Sequence, residues 1–582
     1  MAYVIDQPNC SCCHMCDLNC PVHAISMKGN KYQIDPEVCI DCGLCAKNCH
    51  NRAISNPDIA EPQVEAHEKI QKKCDVLVIG GGGSGLVAAA KAQDLGQRVI
   101  LMEKNWETGG SAYFGHMMRV HYSKWHEEAG EKDRRKELLE RYKEATAERG
   151  NPDLVATCLK ANSDLTDWLI DMGELQKGFG FGKGRHGVDL LYKYEYDYNE
   201  KRSDPSCGPG DSGWYITRLL TEIFEKKGGE LLVNTRAVKL LTDGEKVVGA
   251  IGEDAGGEIE IHAKSVIMAS GTYSRNKEIM DKMQPCFYKD YEENPIHIYA
   301  AATCTGDGIN LCEEIGADIN YKEKRSCIFG PIHHPFSYSV LMLNRYADAT
   351  SILVDKFGNE INMDGINPMT EVGVLESKPG RIGWNIIDQK AWEEAIQFAE
   401  NSDDPDDHMA LRHLERDLNG ELKDGSVVMA DSIAELEEKM GFESGKLQAV
   451  IDANNEKIRN GKTGLPDMPP AKGGEEPDPM MAMMAKFPKA HEMLEGPFYA
   501  IRQGCFQENA IGGMEVDGHT RVLRNGKPIP GLYATGDTTR GIMLSGDIGV
   551  MFIEGVLSAM TYAMCSGYVA GLEASGITAE TI

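Results

Sequence analysis

Nine of the 18 cysteines in this 582-residue chain lie within the first 49 residues. Eight of them form two runs with one shared spacing, Cys-x2-Cys-x2-Cys-x3-Cys. The runs are Cys10, Cys13, Cys16 and Cys20, followed by Cys39, Cys42, Cys45 and Cys49. In a small secreted domain such density would indicate disulfides, but in a chain of this length it favours metal ligation.

The spacing of each run resembles that of bacterial ferredoxins with two [4Fe–4S] clusters. Three thiolates at this spacing can wrap around one corner of a cubane cluster, and the fourth lies beyond a short turn. The resemblance implies that the fourth cysteine of each run binds the other cluster. The expected ligand sets are Cys10, Cys13, Cys16 and Cys49 (the first set), and Cys39, Cys42, Cys45 and Cys20 (the second set).

Zinc sites are the alternative, because they also use Cys-x2-Cys pairs. Zinc needs four ligands per site and would not require two matched runs with this triple spacing, so two clusters are favoured. One position departs from the ferredoxin pattern, because His50 follows the second run whereas Pro21 follows the first. We expect this exchange to change the local turn and not the ligand set.

A glycine-rich segment follows further along the chain. An apolar run at 74–79 precedes a Gly-x-Gly-x-x-Gly motif that starts at Gly80, a helix of small residues follows, and a second apolar run ends at Glu103. Such glycines let the backbone approach a pyrophosphate at the helix N-terminus, and the acidic residue reaches a ribose hydroxyl. The segment predicts a dinucleotide site, which either NAD or FAD could fill.

Later segments favour FAD over NAD. A second glycine turn starts at Gly109, and Asp537 follows a strand near the C-terminus, where its carboxylate can hold a ribityl hydroxyl. A helix opened by residues 545–549 could turn its N-terminal dipole toward the flavin. The predicted cofactor-binding residues are Gly80, Gly82, Gly83, Ser84, Gly85, Glu103, Lys104, Gly109, Gly110, Ser111, Ala237, Val238, Ala269, Ser270, Gly271, Asp307, Gly512, Gly513, Gly536, Asp537, Gly546 and Ile548.

From Cys74 to its end, the chain resembles the flavoprotein subunits of the fumarate reductase and succinate dehydrogenase family. The matching segments are 78–85, 109–111, 274–276, 305–309 and 530–537. The resemblance implies a multidomain α/β and α+β protein, in which a Rossmann-like FAD-binding domain is interrupted by a capping domain. We expect a ferredoxin-like domain at 1–60, a linker at 61–73, an FAD-binding domain at 74–311 and 488–582, and a capping domain at 312–487.

Members of that family with covalent flavin carry a histidine just after the second glycine turn. This chain has Ser111-Ala112 there, with His116 close by. We therefore expect the cofactors to be non-covalent FAD and two [4Fe–4S] clusters.

The resemblance does not extend to the cations that hold a dicarboxylate in fumarate and succinate enzymes. Those positions fall at 362–368, at Glu508-Asn509 and at Asp547, and they carry no positive charge. Because a dianion buried there would be unpaired, we expect a neutral, carbonyl-activated alkene instead of fumarate. The candidate catalytic residues are His333, His334, Tyr338 and Arg540.

The chain has one dinucleotide fingerprint, which FAD would occupy. We therefore expect electrons to arrive through the clusters from an external carrier such as a ferredoxin, flavodoxin or electron-transfer flavoprotein. Two alternatives use the same parts: a dehydrogenase that runs in the opposite direction, and an electron-transfer subunit of a larger complex. A cap over the substrate favours an enzyme over a pure relay.

The composition is that of an acidic globular protein. A net charge of −29 argues against nucleic-acid and anionic membrane surfaces as partners. Since the apolar runs are too short to span a bilayer and the N-terminus lacks the layout of an export signal, we expect a cytoplasmic location. The sequence leaves oligomerisation open.

Overall fold

The structure is a computed structural model of the 582-residue chain. The residues it describes, to which all structural statements refer, are 2–10, 16, 20–22, 24–28, 31–59, 66–114, 118–146, 150–172, 179–183, 189–193, 211–283, 297–298, 300–321, 328–330, 340, 343–344, 346–347, 350–362, 375, 377–402, 405–461, 486–507, 512–542, 557 and 559–582.

The N-terminal module consists of two small antiparallel sheets and one short helix. Strand β1 (Val4–Ile5) pairs with β4 (Ile54–Ser55), and β2 (Ile25–Lys28) pairs with β3 (Lys31–Ile34). Helix α1 (Leu44–Lys47) begins inside the second cysteine run. Because the first strand pairs with the last, the two ends of the module are held together.

A six-stranded sheet forms the centre of the body. Its strands, in spatial order, are β11 (Glu230–Leu232), β7 (Val99–Met102), β6 (Val76–Ile79), β15 (Ser265–Met268), β25 (Lys527–Ala534) and β24 (Arg521–Arg524). The first five are parallel, and β24 is antiparallel to β25. Every residue of β6 and β7 is buried, as expected for strands covered on both faces.

Two helices of small residues pack closely on each other beside this sheet. They are α2 (Gly83–Asp94) and α13 (Ala559–Ala574). A Cβ atom at Gly567 would lie 2.2 Å from the Ser84 carbonyl oxygen, and one at Gly571 would lie 2.9 Å from that of Ala88. The glycines of α13 therefore permit the close approach of the two helices, which keeps the start of α2 in place.

A second, four-stranded sheet includes part of the segment predicted as linker. It contains β12 (Arg236–Asp243), β13 (Lys246–Glu253), β14 (Glu258–His262) and β5 (Ile70–Lys73). Strand β5 lies in the segment predicted as linker, yet it pairs in parallel with β14. The His67 N–H also donates to the Gly256 carbonyl oxygen at 3.0 Å. The described body therefore begins at about His67, because backbone pairing with a strand almost 200 residues away overrides the polar local sequence.

The remaining elements of the body surround the central sheet. The strands are β8 (Met118–Val120), β9 (Phe179–Lys183) and β10 (Asp189–Lys193), which form one sheet, and the pair β17 (Ile319–Asn320) and β23 (Gly513–Met514). The helices are α3 (Lys124–Glu128), α4 (Arg135–Thr146), α5 (Pro152–Asp171), α6 (Asp211–Lys226), α7 (Lys277–Met283) and α8 (Asp307–Glu314). Short 3-10 helices lie at Gly110–Phe114 and Gly536–Thr538.

Another six-stranded sheet has four of its strands in the segment predicted to form the cap. Its strands are β16 (His297–Ile298), β18 (Ile328–Gly330), β19 (Ile352–Asp355), β20 (Ile382–Asp388), β21 (Val427–Ala430) and β22 (Phe498–Gln507). Four helices accompany it: α9 (Gln389–Glu400), α10 (Pro405–Asp424), α11 (Ile433–Met440) and α12 (Lys446–Arg459). A 3-10 helix at Pro379–Arg381 precedes β20.

Strand pairing crosses both boundaries predicted for the cap. Strand β22 pairs with β20 and β21, so the sheet of this segment continues past 487 to about 507. At the other end, α8 runs across position 312, and β17 pairs with β23 of the body. Strand pairing between distant segments sets these limits. Among the described residues, no helix has the combined length and apolar character needed to cross a membrane.

Candidate FAD and iron–sulfur sites

Helix α2 begins at the glycine motif with an open N-terminus. Its N-cap residue, Gly82, provides no side-chain acceptor, and the first turn contains no acidic residue. Gly83, Ser84 and Gly85 are buried. Because buried N–H groups at a helix start need acceptors and favour an anion, this turn fits the pyrophosphate of a dinucleotide.

Two other glycine positions of the motif are fixed by packing. A Cβ atom at Gly85 would lie 1.8 Å from the Gly80 carbonyl oxygen, and one at Gly80 would lie 2.2 Å from that of Ala269. The Ala269 N–H in turn donates to the Ile79 carbonyl oxygen at 2.8 Å. The structure thus brings the ends of β6 and β15 together with the start of α2.

The second glycine turn lies directly against the first. The Gly109 N–H donates to the Gly81 carbonyl oxygen at 2.8 Å, and a Cβ atom at Gly110 would lie 3.1 Å from Gly82 Cα. Both Gly109 and Gly110 have positive φ, at 121° and 52°. Two stretches of backbone without side chains therefore form one wall of the candidate FAD site.

Glu103 has a different set of contacts from the one predicted for a ribose-binding residue. Its buried carboxylate accepts hydrogen bonds from the Gly81 N–H at 2.6 Å and the Asn105 N–H at 2.7 Å. These bonds hold the glycine turn against the end of β7. Each carboxylate oxygen has a second lone pair, so the group can still accept from a ribose hydroxyl.

Lys104 and Asp307, which were both predicted to bind cofactor, pair with each other. Lys104 Nζ donates to Asp307 Oδ2 at 3.0 Å, and Arg236 binds both Asp307 oxygens at 2.9 Å. Burial acts to raise the pKa of Asp307, but the hydrogen bonds and charges of Arg236 and Lys104 hold it below its usual value. Arg236 was missed by the sequence analysis, since nothing local links it to a carboxylate 71 residues away.

The environment of the Asp537 carboxylate suits a group that accepts a hydrogen bond from a bound ligand. It lies in the 3-10 helix after β25, and no hydrogen bond joins its carboxylate to another described residue. Burial raises its pKa to about 6. Asp537 is half-buried, and a carboxylate withdrawn from water without a donor is costly, so a ribityl hydroxyl fits this position.

The segments around Asp537 come from three distant parts of the chain. A Cβ atom at Gly536 would lie 2.7 Å from Ser84 Oγ, and one at Gly513 would lie 2.9 Å from the Thr538 carbonyl oxygen. Ser270 Oγ lies 3.5 Å from Thr538 Oγ1. Of the other predicted FAD residues, Gly271 and Gly512 are sequence neighbours of these contacts, and Ala237 and Val238 follow Arg236 in β12. Gly546 and Ile548 lie outside the described residues.

Of the predicted catalytic residues, the structure describes Arg540 alone. Its Nη1 lies 3.5 Å from Glu515 Oε2, and its N–H donates to the Met514 carbonyl oxygen at 2.8 Å. Glu515 also accepts from Asn320 Nδ2 at 2.7 Å, so Arg540 belongs to a network within the body. The other three, His333, His334 and Tyr338, lie outside the described residues.

The fourth cysteine of the first run, Cys20, lies beside the cysteines of the second run. Cys45 interacts electrostatically with Cys39, Cys42 and Cys20, and these four thiols line one cavity. Cys49 interacts with Cys10 of the other run. Cys16 is described, whereas Cys13 is not.

Burial and the neighbouring thiols disfavour the thiolate forms of these cysteines in the absence of a metal group. Burial raises the pKa of Cys45 to about 11, and the neighbouring thiols act in the same direction. Burial likewise raises the pKa of Cys49 to about 11. Thiolates this close together need a cationic centre between them, which releases the protons on binding. In the described part of the chain, no three His, Cys, Asp and Glu side chains are placed to hold a single metal ion.

The cysteine module is hydrogen-bonded directly to the body near the glycine turns. Arg275 Nη1 donates to the Pro8 carbonyl oxygen at 2.6 Å, and the Ala302 N–H donates to Asn51 Oδ1 at 3.0 Å. The neighbouring Ala301 N–H donates to Ser111 Oγ at 3.1 Å. The module therefore lies beside the candidate FAD site. None of these junction roles was predicted.

Family comparisons agree with this arrangement. A family model described as FAD binding domain matches residues 75–545, and one described as 4Fe-4S binding domain matches residues 32–55. An open-form structure of a flavocytochrome c3 fumarate reductase has a similar fold, with a TM-score of 0.63 and 21% identity over 87% of this chain and 78% of the other.

Three curated relatives show the range of the likeness. Probable fumarate reductase Ifc3 of Shewanella frigidimarina is 25% identical over 80% of this chain and 70% of its own length. NADH:acrylate oxidoreductase of Vibrio harveyi is 24% identical over 87% of this chain, which spans 51% of that protein. Vinyl phenol reductase of Lactiplantibacillus plantarum is 22% identical over 87% of this chain and 97% of its own length. Because one family model covers most of the chain, the protein belongs to the FAD-binding family of the fumarate reductase and succinate dehydrogenase flavoproteins, with a 4Fe-4S binding domain at its N-terminus.

Proposed function

We propose that this protein is an iron–sulfur flavoenzyme that reduces an activated C=C bond, with electrons delivered to FAD through two [4Fe–4S] clusters. The observation that carries the proposal is the junction: Asn51, two residues after Cys49, accepts from Ala302, and the adjacent Ala301 N–H donates to Ser111 of the second glycine turn. In such neighbouring sites, the clusters would transfer single electrons and the flavin would transfer them in pairs.

The FAD-binding domain would be Rossmann-like, and the segment of β18–β22 would form the cap. The open start of α2 would hold the pyrophosphate, and Asp537 would accept from a ribityl hydroxyl. Ser111 Oγ accepts from Ala301 N–H and contacts Cys304 Sγ at 3.3 Å. With this serine at the usual attachment position, FAD would be bound non-covalently.

Each cluster would be held by one of the two cysteine sets. Anaerobically purified protein would then contain about eight iron and eight acid-labile sulfide atoms per chain. Zinc in place of iron would contradict the clusters, and yellow colour in an acid-precipitated pellet would contradict non-covalent FAD.

The reaction adds two electrons and two protons across the alkene, whose carbonyl group withdraws charge as the new C–H bond forms. FAD, when bound, supplies the hydride. One protein acid must protonate the carbon next to the carbonyl group. His333, His334 and Tyr338 are the proposed candidates, and Arg540 is a weaker one because Glu515 already holds it.

Charge supports a neutral substrate. Arg540 already faces the Glu515 carboxylate, so a substrate carboxylate bound there would share one cation with that acid. The positions at 362–368, 508–509 and 547 supply no replacement cation. A carbonyl-conjugated alkene without a carboxylate would avoid the cost of an unpaired buried anion.

The test is anaerobic oxidation of reduced methyl viologen with three substrates: 2-cyclohexenone, acrylate and fumarate. We expect the enone to be reduced, and fumarate to react at least about a hundredfold more slowly, the effect of roughly 3 kcal/mol of unpaired buried charge. Protein stripped of FAD is the control and should be inactive. Fumarate turnover equal to that of the enone would contradict the substrate class.

The same preparation tests the opposite direction. Cyclohexanone with an oxidised one-electron dye should give slower turnover than cyclohexenone with reduced viologen. Faster oxidation of the saturated ketone would make the protein a dehydrogenase. No turnover in either direction, with both cofactors present, would favour a relay subunit.

A further inference from the structure

His50 is a cysteine-module residue that is buried in the junction with the body. The residue is 2% exposed, and its Nδ1 lies 2.6 Å from Glu107 Oε1. Its carbonyl oxygen accepts from Asn105 Nδ2 and Trp106 Nε1, both at 3.1 Å. Residues 105–107 of the body therefore fix both the ring and the backbone of His50.

The imidazole of His50 also stacks on Tyr113 of the FAD-binding body. The ring centroids are 4.3 Å apart and the planes differ by 18°. Tyr113 belongs to the 3-10 helix that starts at Gly110, and its N–H donates to the Gly109 carbonyl oxygen at 3.2 Å. The stack thus joins the residue after Cys49 to the second glycine turn.

The two cysteine sets differ in their relation to this junction. Cys49 interacts with Cys10, and the neighbouring Pro8 is bound by Arg275 of the body. In the second set, Cys42 is exposed. Pro21, which follows Cys20 as His50 follows Cys49, is exposed as well.

We propose that the cluster on Cys10, Cys13, Cys16 and Cys49 is the one that exchanges electrons with FAD, and that His50 is the positioning residue that fixes it against the second glycine turn. The cluster of the second set would then receive electrons from the external carrier. The inference rests on the proposed function only in requiring that both clusters and FAD are bound. It does not depend on the substrate.

Positioning has a direct effect on this kind of transfer, because its rate falls steeply as the gap between fixed centres grows. An external one-electron carrier is oxidised as each electron enters the protein. Two such electrons, with protons from solvent, reduce one FAD. His50 would shorten and fix the last gap, much as orientation of reacting groups does in other catalysis.

The test uses holoprotein, reduced methyl viologen and no alkene, with cluster and flavin absorbance followed separately after rapid mixing. His50→Ala removes the stack and the contact with Glu107. Pro21→Ala is the matched control, because it changes the same position after the fourth cysteine of the other run. Tyr113→Leu removes the stack from the FAD side, away from every cluster ligand, in case His50→Ala loses iron.

We expect cluster reduction at the wild-type rate in all three variants. Flavin reduction should slow at least about tenfold in His50→Ala and in Tyr113→Leu, and stay within about twofold in Pro21→Ala. A redox titration followed by electron paramagnetic resonance should show that His50→Ala shifts the potential of one cluster and leaves the other unchanged.

Flavin reduction at the wild-type rate in Tyr113→Leu and in iron-replete His50→Ala would overturn the inference. An equal slowing in Pro21→Ala would overturn it as well, since the two ends of the module would then be equivalent. If the wild type reduces no alkene while His50→Ala still slows flavin reduction, the proposed reaction fails and this inference stands.

Discussion

The two cysteine runs are alike in their local bonding and differ in what surrounds them. Cys20 Sγ accepts from the Ala24 N–H at 3.2 Å, and Cys49 Sγ accepts from the Ala53 N–H at 3.2 Å. Both bonds span four residues, as expected for an internal repeat. The residues that follow these cysteines diverge, because Pro21 is exposed whereas His50 is buried.

This difference indicates that the repeated spacing gives both runs the same local bonding. Contacts with the body then distinguish one run from the other. A hydrogen bond to a ligand sulfur is a local property, so both runs can keep it. His50 is buried by contacts with Glu107, Asn105 and Tyr113, and within the described part of the chain these contacts belong to the second run. On the proposals above, the two runs would bind the same kind of cluster and exchange electrons with different partners.

The largest expected effect comes from exchanging one ligand in each set. With reduced viologen, Cys49→Ser should slow flavin reduction by roughly a hundredfold, whereas Cys20→Ser should slow it by at most about tenfold because the dye can reach the remaining cluster. Stopped-flow absorbance and iron analysis provide the measurement. Equal losses in the two variants would remove the proposed difference between the sets.

A second prediction concerns the affinity for FAD and does not involve the junction between the module and the body. Asp537→Asn should raise the dissociation constant of FAD about tenfold at pH 8, because a hydrogen bond to a charged group is lost. Since burial raises the pKa of Asp537 to about 6 in the FAD-free protein, wild-type affinity should fall as the pH drops from 7 to 5. The variant should show no such change over that range. Fluorescence titration of apoprotein tests both statements, and a pH-dependent affinity in Asp537→Asn would contradict this role.

The Arg275→Ala substitution tests how much the contacts with the body stabilise the cysteine module. Arg275→Ala removes the bonds to the carbonyl oxygens of Pro8 and Ala300 and should lower the opening free energy of the module by about 1.5–3 kcal/mol. Hydrogen exchange in β1 and β4 is the measurement. Lys47→Ala, at an exposed position of α1, should change exchange little. Similar changes in both variants would mean that the junction does not stabilise the module.

The smallest expected effect concerns Asn51, which occupies the position of Val22 in the first run. Asn51→Val should cost about 1 kcal/mol, because the Ala302 N–H loses its acceptor. Faster hydrogen exchange at Ala302 would report it. The reverse exchange, Val22→Asn, should leave Ala302 unaffected, and a matching change there would contradict the assignment of this contact to one run.

The parts of the site that could be predicted from sequence depend on local spacing or on missing side chains. The cysteine spacing is one case, and the two glycine-rich turns, which lie side by side at Gly82 and Gly109, are another. The parts that were missed depend on distant partners. The pairing of β5 with β14, the Arg236–Asp307 ion pair and the burial of His50 each join segments that no local pattern connects. The single signal for His50 was its departure from proline.

The attachment of His67 and β5 to the second sheet has a consequence for how the module meets the body. The module is described up to Ile59 and the body from about His67, so the connecting chain can span at most roughly 28 Å when fully extended. Such a tether keeps the module at a high effective concentration near its docking site, in the range of millimolar or above. A junction of a few hydrogen bonds and one aromatic stack is then enough to stay closed nearly all the time. The same contacts between two separate proteins would form only a transient complex, so covalent fusion replaces interface area as the source of affinity.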